Sequence, residues 1–172
     1  VTLMKNTFYG IYDNGGANLT LGGTTSSDRN IISGNGKDGA RLYGVNTALI
    51  QNNYIGTTAN GLSALANNQE TADYAGLMLT GANLATGSKT ITITDNVIAG
   101  NEKGVANTAN TSKGIKALNA SFITITNNRI GTTPDGMTAL LNTGYGIYTQ
   151  SATDIVIGGT TAAERNIIAG NQ

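Results

Sequence analysis

The chain has 172 residues, ten Lys+Arg against ten Asp+Glu, and neither His nor Cys. These zeros exclude imidazole bases, Ser-His-Asp triads, His or Cys metal ligands, thiolate nucleophiles and disulfides. The neutral balance also lacks the basic footprint expected of a nucleic-acid binder. Thr, Gly and Asn fill 72 positions and only 12% of residues are charged. With one Pro the composition is neither collagen-like nor polyproline, and its steady supply of Ile, Leu and Val separates it from disordered chains. No run of 18 apolar residues occurs, so no membrane-inserted helix is expected.

Read in chain order, one unit recurs five times. The first opens at Gly10 with an apolar residue after it, alternates apolar and polar in NLTL from Asn18, and closes on N-x-I at Asn30. The second opens at Gly39 and reaches N-x-I at Asn53, followed by the insert IGTTANGLSAL. The third opens at Gly76, alternates in TITIT from Thr90 and closes at Asn96. The fourth opens at Gly114, alternates in FITIT from Phe122 and closes at Asn128, with the insert IGTTPDGMTAL. The fifth opens at Gly146, alternates in DIVI from Asp154 and closes at Asn166. Longer similarities overlie this unit. Residues 1–36 align with 137–172 at an offset of 136, with 17 identities, and 52–68 align with 127–143 at an offset of 75.

Each unit thus holds three short period-2 segments separated by Gly/Asn/Thr turns, with no sustained 3.6-residue apolar period. Such units cannot bury an apolar edge alone but can when stacked. The expected fold is all-β: a single right-handed parallel β-helix over residues 1–172, about five coils starting near 10, 39, 76, 114 and 146. Alternation places Ile11, Ala40, Leu77, Ile115 and Ile147 inside on the first strand. It places Leu19, Ile50, Ile93, Ile125 and Ile157 inside on the second, and Ile32, Ile55, Ile98, Ile130 and Ile168 on the third. Asn30, Asn53, Asn96, Asn128 and Asn166 would share one corner, where stacked amides can bond to each other and to turn backbone. The alternative reading of these Asn is tolerance of a left-handed turn.

The N-x-I-x-G-N and G-I-x-L cadence, with GGTT-x-x-x-RNII and IGTT-x-x-G-x-x-AL inserts, resembles the right-handed parallel β-helix repeats of large secreted and surface bacterial proteins in the pectin-lyase-like superfamily. The resemblance covers essentially the whole chain. It implies the fold; the superfamily spans lyases, hydrolases, epimerases, tailspikes and inert stalks, so it implies no single activity.

Its polygalacturonase-like and epimerase-like members need His, which is missing here. Its pectate-lyase-like members use calcium on Asp/Glu with an Arg or Lys base. The outward first-strand column, Tyr12, Arg41, Met78, Lys116 and Tyr148, offers cations and rings without a carboxylate. Asp13, Asp38, Asp73, Asp95 and Asp154 fall at turns, with no pair expected on one face. Tyr12, Arg41, Lys116 and Tyr148 are therefore candidate glycan contacts, against a simple solvated face. A lyase remains the enzymatic alternative, using carboxylates brought in by the inserts at 56–75 and 100–113. SGNGKDGAR from Ser33 approaches a calcium-binding nonapeptide, making Asp38 a candidate metal ligand, but AGNEKGV from Ala99 lacks the Asp that a tandem site needs. Otherwise no cofactor is expected. Asp28-Arg29 and Glu164-Arg165 read as exposed ion pairs. The Thr20, Thr92 and Thr124 column is interrupted by Leu49 and Val156, which argues against an ice-binding array.

The outward third-strand column, Ile31, Tyr54, Val97, Arg129 and Ile167, is largely apolar and should be covered. Leu62, Leu65, Met137 and Leu140 of the inserts favour cover from within the chain over a partner. No capping helix is evident, so the chain is expected to stack end to end or within a longer array. The expectation is a non-enzymatic extracellular or cell-surface structural segment (stalk, adhesin or filament component), with glycan binding as the alternative.

Overall fold

The computed structural model describes residues 5–68, 73–81, 90–102 and 112–172. Fifteen strands form three five-stranded parallel sheets. Each coil contributes one strand to each sheet. Coil 1 holds β1 (Ile11–Asn14), β2 (Asn18–Gly22) and β3 (Ile31–Ile32); coil 2 holds β4 (Ala40–Tyr43), β5 (Thr47–Gln51) and β6 (Tyr54–Ile55). Coil 3 holds β7 (Ala75–Thr80), β8 (Ile91–Thr94) and β9 (Val97–Ile98); coil 4 holds β10 (Lys113–Leu118), β11 (Ser121–Thr126) and β12 (Arg129–Ile130). Coil 5 holds β13 (Ile147–Gln150), β14 (Thr153–Ile157) and β15 (Ile167–Ile168). The orders β1-β4-β7-β10-β13, β2-β5-β8-β11-β14 and β3-β6-β9-β12-β15 are those of a parallel β-helix of five coils. At about 4.8 Å per coil, the stack rises roughly 20 Å from first strand to last.

Register puts like on like. Ile11, Ala40, Leu77, Ile115 and Ile147 pair across the first sheet, and Ile32, Ile55, Ile98, Ile130 and Ile168 across the third. The second sheet corrects one expectation: Leu21, not Leu19, aligns with Ile50, Ile93, Ile125 and Ile157. Leu19 stacks instead with Ala48, Ile91, Ile123 and Ile155. A two-residue slip keeps a side chain on the same face, so alternation alone could not distinguish them. The core is sealed through the middle coils, where Leu77, Ile93, Ile98, Ile115 and Ile130 are fully buried. Burying each such side chain contributes about 1.5–3 kcal/mol. On coil 5 the inward residues Ile157 and Ile168 keep 50% and 45% exposure.

Corners are held by amides. The Asn53 backbone N–H donates to Asn96 Oδ1 at 2.9 Å, that of Asn96 to Asn128 Oδ1 at 3.0 Å, and that of Asn128 to Asn166 Oδ1 at 2.9 Å. Each Nδ2 turns back to the coil below, as Asn96 does to Ile50 O at 2.9 Å. The left-handed residue at this corner precedes the ladder Asn: Asn52, Asp95 and Asn127 have φ of 58°, 60° and 53°. The ladder therefore serves hydrogen bonding, while its neighbours make the turn.

A second ladder runs through Asn6, Asn35, Asn67, Asn101, Asn142 and Asn171, with side-chain to side-chain bonds of 2.8–3.0 Å. Its G-N members at Asn35, Asn101 and Asn171 were visible in the cadence, whereas Asn67 and Asn142 lie inside the inserts. Asn96→Ala would strip partners from Asn53 and Asn128 and from two carbonyls. It is predicted to cost about 2–4 kcal/mol in urea unfolding, whereas Asn30→Ala, at the exposed end, should cost under about 1 kcal/mol.

Candidate functional site

The outward column of the first sheet is the part of the surface richest in chemistry. Tyr12, Arg41, Met78, Lys116 and Tyr148 stack in register across the five coils. Met78 and Lys116 are buried rather than solvated, while Tyr12 is exposed. The face also gains two carboxylates, which corrects the expectation that the Asp residues scatter. Asp38 and Asp73 both arrive from the turn entering the sheet. Asp38 Oδ2 accepts from Arg41 Nε at 2.7 Å and its Oδ1 from the Ala75 N–H at 2.6 Å. Asp73 accepts from Lys116 Nζ at 2.8 Å through Oδ2 and from Lys113 Nζ through Oδ1.

These two carboxylates titrate in opposite directions. Burial pushes the Asp38 carboxyl above the ordinary carboxylate range, against the opposing pull of Arg41 and the Ala75 amide. Desolvation also raises Asp73, but hydrogen bonds and charge from Lys113 and Lys116 outweigh it and hold Asp73 below that range. With both oxygens engaged and buried, Asp38 is poorly disposed to take a calcium ion. No group of three or more acidic side chains placed to hold a metal occurs among the described residues.

Aromatic rings flank the charged centre. Tyr9 stacks on Tyr12 at 5.3 Å between centroids with a 24° interplanar angle, and Tyr145 on Tyr148 at 5.6 Å and 26°. The Arg41 guanidinium lies 4.8 Å from the Tyr9 centroid, and Lys113 Nζ 5.8 Å from that of Tyr148. The face thus reads ring pair, ionic cluster, ring pair along the coil axis. Tyr9, Tyr145 and Asp73 were missed as members of it. The Y-G-I-Y spacing at Tyr9 and Tyr145 carried the signal for the tyrosines.

The remaining candidates take other places. Tyr54 and Val97 are 8% and 4% exposed and pack with Ala99 and Leu140, so they belong to an interior cluster. The inserts cause this: each returns as a short hairpin, bridging Thr57 to Ala64 and Thr132 to Ala139. Leu65 O then accepts from Gly34 N–H in the coil below at 3.0 Å, and Leu140 O from Gly100 N–H at 2.9 Å. Ile31 stays exposed and Ile167 half-buried. The insert at 100–113 falls largely outside the described residues.

The expected ion pairs are replaced by other contacts. Asp28 accepts from Thr25 N–H and Oγ1, both at 2.9 Å, and Glu164 repeats this with Thr161 at the same distances. Arg29 instead reaches coil 2, donating to Asn52 Oδ1 at 2.8 Å and lying 4.1 Å from the Tyr54 ring centroid.

Comparison with known proteins returns no matching family model, no matching curated protein and no matching solved structure.

Asp73→Asn tests the ionic cluster. A carboxyl held low in the folded state contributes stability above its unfolded pKa and loses it as pH falls through the lowered value. Asp73→Asn should therefore cost about 1 kcal/mol at pH 7, a figure discounted for the carboxylate's partial exposure. The gap to the parent should narrow as pH drops below the ordinary carboxylate value of 3.8. Urea titrations across pH 2–7 measure it.

Proposed function

We propose that this chain is a non-enzymatic structural segment: a stiff β-helical piece of an extracellular or cell-surface stalk, adhesin or filament that associates end to end. The observation that carries this reading is the pair of Asn ladders, which run with three parallel sheets through every coil. Continuous inter-coil bonding of this kind supplies stiffness and protease resistance. The half-exposed Ile157 and Ile168 on coil 5 add an apolar surface suited to stacking. Membership of the pectin-lyase-like superfamily is part of the same proposal and rests on the repeat cadence and the coil architecture. Electron microscopy with light scattering across a concentration series tests it. Rods that lengthen with concentration support it; monodisperse particles of unit mass at every concentration would contradict end-to-end association.

A second reading, glycan binding, is favoured by the paired rings at Tyr9/Tyr12 and Tyr145/Tyr148 around a partly buried ionic cluster. Exposed aromatic faces are suited to packing on the apolar face of a sugar ring, and the partly exposed Arg41 to its hydroxyls or carboxylates. Binding would be seen on a glycan array with calcium present and absent. Tyr12→Ala and Tyr148→Ala should each weaken a genuine ligand roughly fivefold to tenfold. Equal retention by the double variant would remove this face from consideration.

A further inference from the structure

Coil 5 repeats coil 1 in three dimensions as well as in sequence. Asn6 Nδ2 donates to Asn35 Oδ1 at 2.8 Å, and Asn142 Nδ2 to Asn171 Oδ1 at 2.8 Å. Gly36 N–H donates to Asn6 O and Gln172 N–H to Asn142 O. The Thr25–Asp28 turn recurs as Thr161–Glu164, and φ is 87° at Gly22 and 86° at Gly158. The two coils differ in what lies over them. Coil 2 covers coil 1, leaving Leu21 and Ile32 at 7% and 6% exposure, while their counterparts Ile157 and Ile168 remain half-exposed. A Cβ on Gly22 would lie 1.9 Å from Gln51 O of coil 2, whereas one on Gly158 would meet nothing nearer than Glu164 O at 3.9 Å.

We infer that the open face of coil 5 is a docking surface for a coil of the second kind, supplied by residues 37–68 of a second copy of this repeat. This rests on the structural reading above and specifies the occupant. The contacts are those that coil 1 already makes. Arg165 corresponds to Arg29, which grips Asn52 and lies over Tyr54. Asn166 corresponds to Asn30, whose N–H and Nδ2 both donate to Asn53 Oδ1. Gly170 corresponds to Gly34, whose N–H donates to Leu65 O, and Asn171 to Asn35, which donates to Asn67 Oδ1. Alternation of coil types agrees with this choice. Coils 2 and 4 carry the IGTT hairpin, and each folds it down onto the hairpin-free coil beneath, 1 or 3. A coil lying over coil 5 would therefore be of the hairpin-bearing kind, and it would set its Asn52 and Tyr54 equivalents against Arg165. A coil of the first kind would set Arg29 against Arg165, cation on cation.

A segment exchange tests this within the full chain. Residues 9–35 are replaced by the sequence of residues 145–171, which is of equal length, so that coil 5's surface lies beneath coil 2 while coils 2–5 are untouched. The transplanted counterparts of Asn166 and Gly170 should exchange their amide protons at least roughly tenfold more slowly than Asn166 and Gly170 in their own place, with an unchanged urea midpoint. Equal exchange rates at the two places, or a lowered midpoint with fraying of coil 2, would overturn the inference. A second variant, residues 1–172 followed directly by another copy of 37–172, keeps the 136-residue register. Slowed exchange at Asn166 and Gly170 and a single unfolding transition support docking; two independent transitions contradict it. Neither readout depends on whether the parent chain forms rods, so failure of the structural reading and failure of this inference are separable.

Discussion

The strands in this architecture find no ladder partners within their own coil; each depends on the coil above or below in parallel register. The sheets meet that demand along their lengths, but the corners interrupt it, because a turning backbone points N–H and C=O groups where no strand can answer. Asn supplies one acceptor and two donors on a side chain short enough to sit inside the corner. Asn96 shows the solution: its Oδ1 takes the Asn53 N–H, while its Nδ2 serves Ile50 O, Thr94 O and Asn128 Oδ1. Changing one rung leaves buried groups unpaired in two other coils, so the corner constrains sequence more tightly than the aliphatic column does.

The same register has an electrostatic consequence. Stacking like on like would bring side chains of one column within about 4.8 Å from coil to coil, which is costly for charges of one sign. On the first sheet, Met78 stands between Arg41 and Lys116. Asp38 and Asp73 then enter from the preceding turns to neutralise the cations. The ionic cluster is thus one way to make a cationic column compatible with close stacking. Tyr12 and Tyr145, the exposed ring of each tyrosine pair, have no such structural necessity, which is why the pairs carry the glycan reading.

Much of this was legible in the sequence. Periodicity gave the three strands per coil, and the Gly and N-x-I markers aligned them, so all five residues of the first inner column and all five of the third follow from pattern alone. What escaped had non-local or degenerate causes. Leu19 and Leu21 share a face, and only the pairing with Ile50 separates them. Tyr54 and Val97 are interior because the insert hairpins fold back beside the third sheet, Leu140 packing against their cluster. Asp73 joins Lys113 and Lys116 across about 40 residues, a contact that no spacing rule announces. Asn67 and Asn142 of the second ladder hide in the inserts, 14 residues after the first-ladder Asn of their coils, where coils 1, 3 and 5 space the two by five.

Residue-resolved native-state hydrogen exchange tests the central claim most directly, because the backbone amides of Asn53, Asn96, Asn128 and Asn101 donate to side-chain oxygens rather than to strands. If the ladders hold the stack together, these four amides exchange only through global unfolding, as slowly as the neighbouring amides of Ile93 and Ile98. Exchange of the corner amides through local opening, while the strands stay protected, would show that the sheets stand without the ladders and contradict the account.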